Sequence, residues 1–111
     1  MDLQNIHAAL SGYQQAFENR NIDQLRRVWP SITKQEADRN QQSFRAASQI
    51  RMKLSEKSVN IAGDSALVEC AQTIEIVAGG NRQTVPNNTT FSLQRRSGEW
   101  VIARISYGKS R

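Results

Sequence analysis

The sequence predicts an α+β fold in which three N-terminal helices pack on a curved, cone-like antiparallel sheet of about four strands. Apolar residues recur every three or four positions up to about residue 47, and every second position after it. Capping residues and a proline interrupt the first part, whereas glycine-containing turn sequences divide the second. Helices followed by a run of strands are typical of α+β domains. A chain of 111 residues fits one domain spanning 1–111.

The first predicted helix carries one apolar stripe. Its residues step by three or four positions: Leu3, Ile6, Leu10, Tyr13 and Phe17. Ala9 and Ala16 widen the stripe. The turn-forming sequence "NRN" follows, so we expect the helix to end near Glu18–Arg20.

The second predicted helix is short and has signals at both ends. Asn21 is a typical N-cap residue, and Gln24 three positions later completes a capping-box pattern. Asp23 lies in the first turn, where the helix dipole favours negative charge. The apolar face consists of Leu25, Val28 and Trp29. Pro30 ends the helix, because a residue before proline avoids the α region.

A second capping-box pattern, Thr33 with Glu36, starts the third helix, which we expect from Lys34 to Ala47. Its predicted core contacts are few: Ala37, Phe44, Ala46 and Ala47. Three short helices bury little apolar surface among themselves, so they require a sheet to cover.

The first predicted strand alternates from Gln49 onward and points Ile50, Met52 and Leu54 to one face. After the polar sequence "SEKS", apolar residues continue this strand or begin its successor, and Gly63-Asp64 predicts a turn. The next strand, "ALVECAQTIEIV", has one mostly apolar face: Ala66, Val68, Cys70, Ile74 and Ile76. Gln72 is the polar exception on that face.

"AGGN" at 78–81 predicts a hairpin before the remaining strands. Pro86 cannot donate to a ladder, so it marks an edge, a bulge or a strand start. Phe91 and Leu93 alternate with polar neighbours, "RSGE" turns the chain, and "WVIARISY" forms the last strand. The second half therefore predicts three or four long antiparallel strands joined by hairpins.

The sheet face away from the helices is also partly apolar. Its candidate interface residues lie on the second and last strands: Leu67, Ala71, Val77, Val101, Ala103 and Ile105. Helices on one side cannot cover them, so we expect a homodimer formed through the sheet.

Composition narrows the function classes. Cys70 is the single cysteine, which excludes an internal disulfide and a cysteine-based structural metal site. The net charge is +5, and residues 49–111 carry nine Lys and Arg against five Asp and Glu. These basic residues are scattered rather than forming a stripe with interleaved aromatics, so nucleic-acid binding is not expected.

The sequence has no apolar run long enough to span a bilayer, and "MDLQNIHAAL" lacks the features of a signal peptide. We therefore expect no membrane association and a cytoplasmic protein. The chain is either a free protein or one module of a longer one.

Two stretches, "AALSGYQQAFENRNIDQLRRVWP" and "TTFSLQRRSGEWVIARI", resemble the nuclear-transport-factor-2-like (SnoaL-like, cystatin-like α+β cone) superfamily. The opening with "VWP" is also similar to small domains of this type appended to bacterial multidomain proteins, including some serine/threonine kinases. Family enzymes such as ketosteroid isomerases and scytalone-type dehydratases line their cone with Asp, His and Tyr. The resemblance places Tyr13 where the helix-1 tyrosine of the isomerases lies. The matching aspartate base is absent, because Pro30 and "SITKQEAD" occupy that stretch.

Few residues qualify as reactive groups. His7, the single histidine, has no carboxylate obviously placed to orient it, so a surface or boundary position is the simpler interpretation. Glu69 and Glu75 lie about 20 Å apart along one strand, which is too far for a glycosidase-type pair. The candidate pocket residues combine aromatic walls with one amide: Tyr13, Trp29, Gln72 and Trp100. We expect no catalytic residue, no metal and no cofactor.

The preferred interpretation is a non-catalytic binding or oligomerisation module that forms a homodimer and takes a small apolar ligand. The alternative is a small-molecule enzyme or carrier with its pocket between the first helix and the sheet, in which Tyr13 donates a hydrogen bond and Gln72 positions the ligand. A third interpretation, binding of a nucleic acid or an acidic partner by the basic second half, has the least support.

Overall fold

A computed structural model describes residues 2–108, with side chains for 3–107. The helices are α1 (Asp2–Glu18), α2 (Ile22–Val28) and α3 (Lys34–Ala46), and the strands are β1 (Gln49–Ala62), β2 (Ser65–Ala78), β3 (Asn81–Arg96) and β4 (Glu99–Gly108). The four strands form one antiparallel sheet in the order β1-β2-β3-β4. The predicted α+β fold is confirmed: three helices cover one face of an open four-stranded sheet, the inner face.

The end of α1 explains why only half of the first predicted capping box forms. Arg20 adopts a left-handed conformation with φ 54°, and the N–H of Asn21 donates to the carbonyl of Ala16 at 2.9 Å. The Asn21 side chain caps α2 by accepting from the N–H groups of Asp23 and Gln24. Because the N–H of Asn21 is already bonded, the Gln24 side chain accepts from Asn19 instead.

The second capping box is complete. Thr33 accepts from the N–H of Glu36 at 3.1 Å, and the Glu36 carboxylate accepts from the N–H of Thr33 at 3.0 Å. Two contacts predicted for the helices are wrong, because Leu3 and Ala46 are exposed. Leu3 lies one turn before Ile6, the first residue of the stripe that is buried.

The sheet is built from three hairpins and contains two register shifts. β1 continues through the polar "SEKS" sequence, with a bulge between Glu56 and Ser58. A second shift falls opposite Ser92 and Leu93, where β4 contributes one extra residue. Pro86 pairs with Thr73 on β2 but lies beyond the part of β3 that pairs with β4. Its missing N–H therefore faces an unpaired edge, one of the predicted alternatives.

The core lies between α1 and the inner face. Tyr13, Phe17, Phe44 and Phe91 form an aromatic chain through it, with ring centroids 4.9 to 5.2 Å apart. Phe91 is fully buried and meets the Tyr13 ring edge-to-face, at an interplanar angle of 75°. This chain joins α1 and α3 to the centre of the sheet.

Candidate functional site

Two cavities open on the inner face. One lies beside α3 and has a volume of about 210 Å³, and we call it the cone cavity. The other lies between α1 and β1 and has a volume of about 240 Å³. The apolar walls of the cone cavity come from α1, α3 and the paired ends of β1 and β2: Phe17, Phe44, Ile50, Ile74 and Ile76. Its polar lining consists of Tyr13, Asn40, Ser43, Gln72, Asn87 and Tyr107. None of these lining residues is charged at neutral pH, so the cavity suits a neutral guest.

Tyr13 supplies the most unusual polar atom of the cone cavity. Its side chain is fully buried, and its hydroxyl has no hydrogen-bond partner of good geometry, although the Tyr107 hydroxyl lies nearby and interacts with it. Burial raises the pKa of Tyr13 well above its ordinary value, and the nearby Tyr107 raises it further. The hydroxyl therefore stays protonated, and a bound acceptor would compete only with Tyr107 for its proton. An unsatisfied buried hydroxyl costs free energy that a bound acceptor would recover.

Gln72 sits beside a second polar group on the same face. The Thr89 hydroxyl lies 2.6 Å from Asn87 Oδ1 and 3.3 Å from Gln72 Oε1. A hydroxyl carries one proton, so it donates to one of these oxygens at a time, and the shorter distance favours Asn87. The Gln72 oxygen then remains able to accept a hydrogen bond from a guest. Gln72 and Thr89 are both buried, so their hydrogen bonds are shielded from competing water.

The structure brings together two of the four predicted pocket residues. Tyr13 and Gln72 line the cone cavity. Trp29 is buried at the end of α2 and lines a separate depression with Ser31 and Ile105. Trp100 lies at the start of β4, beside the N-terminal half of α1. Neither tryptophan faces the cone cavity.

Five of the six predicted interface residues lie on the sheet face away from the helices, which we call the outer face. Leu67 is 49% exposed there, and Val101 is paired with Gln94 on the same side. Ile105 is the exception. The extra residue at Ala103 shifts the alternation of β4, so Ile105 pairs with the buried Phe91 and packs against the core. Placing Ile105 on the outer face was therefore wrong.

A second space, the α1–β1 cleft, has a volume of about 240 Å³. Here the prediction that His7 lacks a carboxylate partner is wrong: its Nε2 lies 2.6 Å from Oε2 of Glu56 on β1. Cys70 forms part of the floor. Burial raises the pKa of the Cys70 thiol to about 11, and the Glu56 carboxylate contributes to the same shift.

The raised pKa makes Cys70 a slow nucleophile. At pH 8.5 we expect iodoacetamide to alkylate native protein about a hundredfold more slowly than protein unfolded in urea, because only the thiolate reacts. Since the folded pKa is the higher one, the thiol stabilises the fold at neutral pH, and this contribution is lost as pH rises from about 8.5 to 11. The difference in unfolding free energy between wild type and Cys70→Ala should show that decline; a flat difference across this range would contradict it.

Sequence reasoning missed four polar residues of the cavity lining, and Thr89 beside them: Asn40, Ser43, Asn87 and Tyr107. Asn87 and Thr89 continue backward the alternation of Phe91 and Leu93, so extending that period by four residues would have found them. Tyr107 lines the cone cavity while 56% exposed, which places it at the mouth. The pairing of His7 with Glu56 could not be predicted from a sequence motif, because the two residues lie 49 positions apart.

Across residues 2–108, no group of three or more His, Cys, Asp or Glu side chains could hold a metal ion. In the same range, no helix has the length and apolar character needed to cross a bilayer.

Solved structures with the same fold align with nearly the whole of this chain. A candidate aromatic ring hydroxylase from Novosphingobium aromaticivorans matches with a TM-score of 0.83 and 18% identity, covering 94% of this chain and 85% of its own. A candidate dehydratase of the NTF2-like family from Streptomyces avermitilis matches with a TM-score of 0.83 and 16% identity, covering 96% and 94%. At these identities the similarity establishes the fold alone.

A nuclear transport factor 2 (NTF2-like) superfamily protein from Salmonella enterica has a TM-score of 0.79 and 14% identity, covering 95% of this chain and 88% of its own. None of the curated protein sequences matches this chain. The SnoaL-like domain family matches residues 32–107, from the start of α3 through nearly all of β4. The predicted resemblance to the SnoaL-like superfamily is confirmed, and the chain belongs to the SnoaL-like domain family within the NTF2-like fold.

Proposed function

We propose that this protein is a non-catalytic binding module whose cone cavity takes a small, neutral, largely apolar molecule carrying a hydrogen-bond acceptor. The observation that carries the proposal is the Tyr13 hydroxyl, which is buried in the cavity wall and unpartnered. A ligand carbonyl or ether oxygen would satisfy it. The lining contains no carboxylate or imidazole that could act as a base, which favours binding over catalysis.

The cavity volume limits the ligand to about one ring. An apolar protein cavity of about 150 Å³ binds benzene, and the cone cavity is somewhat larger, at about 210 Å³. Its walls are phenyl and isoleucine side chains, which suit an aromatic or alicyclic body. A single-ring ketone matches this size and polarity.

Three probes of nearly equal shape test the proposal. Acetophenone presents a neutral carbonyl, α-methylstyrene replaces the oxygen with a methylene group, and benzoate carries a charge. By calorimetric or NMR titration, acetophenone should bind about tenfold more tightly than α-methylstyrene, because only the ketone accepts from Tyr13. Benzoate should not bind, because the lining offers no cation. Equal binding of all three, or preference for benzoate, would refute the proposal.

The outer face supports a second part of the proposal, a homodimer formed by two copies stacked through their sheets. Four strands of about 14 residues cover roughly 900 Å², close to the area of about 800 Å² that each partner buries in a standard interface. A groove of about 320 Å³ lies in this face, with Leu67 and Ala103 in its lining. The face also carries both charge signs, for example Glu69 on β2 and Arg104 on β4. A twofold-related copy can therefore pair opposite charges around an apolar centre.

Leu67→Lys should weaken the dimer by at least about thirtyfold, because it places a charge at the apolar centre of the interface. Val85→Lys is the matched control: Val85 is 45% exposed, against 49% for Leu67, but its register places it on the inner side of the sheet. Sedimentation equilibrium measures both. A wild-type protein that stays monomeric at high concentration, or equal weakening by both variants, would contradict the homodimer.

A further inference from the structure

The α1–β1 cleft contains one carboxylate and no Lys or Arg in its lining. From α1 come His7, Ser11 and Gln14, which are spaced so that they share one helix face. Leu54 and Cys70 contribute an apolar floor. The Cys70 thiol is neutral at physiological pH because its pKa is raised to about 11. Among the residues that the structure describes, Glu56 is therefore the one acidic side chain of the cleft, and His7 is its one basic side chain.

Strand alternation places the Glu56 carboxylate in the cleft, and the bulge directly after it separates it from the neighbouring lysine. Glu56 pairs with Cys70 and so lies on the inner face, in the wall of the cleft. The next residue, Lys57, is the extra residue of the bulge, and its ammonium group donates to Asn88 Oδ1 at 2.9 Å. Asn88 pairs with Ala71 on the outer side of the sheet. The nearest basic residue in sequence is thus held away from the Glu56 carboxylate.

His7 contacts the Glu56 carboxylate at 2.6 Å, but both side chains are partly exposed to water. The His7 side chain is 47% exposed and that of Glu56 is 34% exposed. Ion pairs with this degree of exposure contribute little, because water and salt compete for both partners. Within residues 2–108, His7 provides the only ionic contact of Glu56. An incoming cation can therefore displace the imidazole at small cost.

We infer that the α1–β1 cleft binds the primary ammonium group of a small organic cation, with Glu56 as its counter-ion. An ammonium group offers three donors. The acceptors around it are the Glu56 carboxylate, the Ser11 hydroxyl and the Gln14 amide oxygen. The short apolar body of the ligand lies on Leu54 and Cys70. This site is separate from the cone cavity and does not depend on the proposed ketone binding.

The test uses n-butylammonium as the ligand and n-butanol as its neutral counterpart of similar size. In an NMR titration, butylammonium should give saturable shifts at Gln14 and Cys70 in the millimolar range, whereas butanol should not. Glu56→Gln removes the charge but keeps the shape, and it should weaken butylammonium binding by about tenfold. Glu99→Gln is the matched control, because it changes the net charge equally at an exposed position outside the cleft. Its effect should stay within about twofold, the range expected for screened surface charge.

Equal binding of butanol and butylammonium would overturn the inference, as would equal weakening by the two glutamine variants or the absence of any saturable shift. Acetophenone binding should be unchanged in Glu56→Gln. This measurement separates failure of the ammonium site from failure of the cone-cavity proposal, and it also shows that the variant is folded.

Discussion

Phe91→Ala should lower the free energy of unfolding by about 4 kcal/mol, because it deletes a fully buried ring and leaves a cavity at the centre of the core. Phe91 lies on β3 between Val68 of β2 and Ile105 of β4, and its ring meets that of Tyr13 at a centroid distance of 5.1 Å. The substitution therefore removes contacts with three elements at once. Most domains have a total stability of about 5–15 kcal/mol, so this loss is a large share of it.

Urea unfolding followed by circular dichroism measures the change. Phe91→Leu is the partner variant: it keeps most of the apolar volume, should cost about 1.5 kcal/mol, and stays folded if the alanine variant does not. Gln83→Lys, at an exposed position of the same strand, should stay within about 0.5 kcal/mol of wild type. If Phe91→Ala cost no more than Phe91→Leu, the ring would not occupy the centre of the core.

Tyr13→Phe should raise stability while lowering ligand affinity. Removing the buried, unpartnered hydroxyl relieves a desolvation penalty, so the ligand-free protein should gain about 1–2 kcal/mol. The same change removes the donor for a ligand carbonyl, so acetophenone affinity should fall by about tenfold, to the level of α-methylstyrene. The ring contacts with Phe17 and Phe91 do not require the hydroxyl, so the core should keep its packing.

Tyr107→Phe is the companion variant, because Tyr107 also lines the cone cavity and is the neighbour that interacts with the Tyr13 hydroxyl. Its side chain is 56% exposed, so water can replace the contacts of the lost hydroxyl, and its removal should change stability by less than about 0.5 kcal/mol. Unfolding curves with and without acetophenone measure both quantities in one experiment. A loss of stability in Tyr13→Phe would mean that the hydroxyl is satisfied in solution, and the basis of the proposed function would be removed.

The fold was largely predictable from the sequence because its boundaries are local. The start of α3 follows from the hydrogen bonds of Thr33 and Glu36, which lie three residues apart. The end of α2 follows from Pro30, and the hairpin at Gly79-Gly80 from two residues with positive φ. The site was only half predictable. Tyr13 and Gln72 could be recognised because each places a polar group on an otherwise apolar face. Trp29 and Trp100 were chosen because they are large aromatic residues, and this property does not distinguish a cavity wall from other buried positions.

The sequence by itself determined the elements, their order and the buried face of each strand up to its first irregularity. Only the tertiary structure decided what lies beyond an irregularity. Each bulge inserts one residue and exchanges the two faces for the rest of the strand, and its position depends on the partner strand rather than on local composition. That exchange moves Ile105 into the core. The contact between Glu56 and His7 needed the tertiary structure for another reason: alternation puts Glu56 on the inner face, but it does not show that His7, 49 residues earlier in the chain, lies 2.6 Å from its carboxylate. The alternation of apolar and polar residues describes one strand by itself. It does not show where the register with the partner strand shifts by one residue.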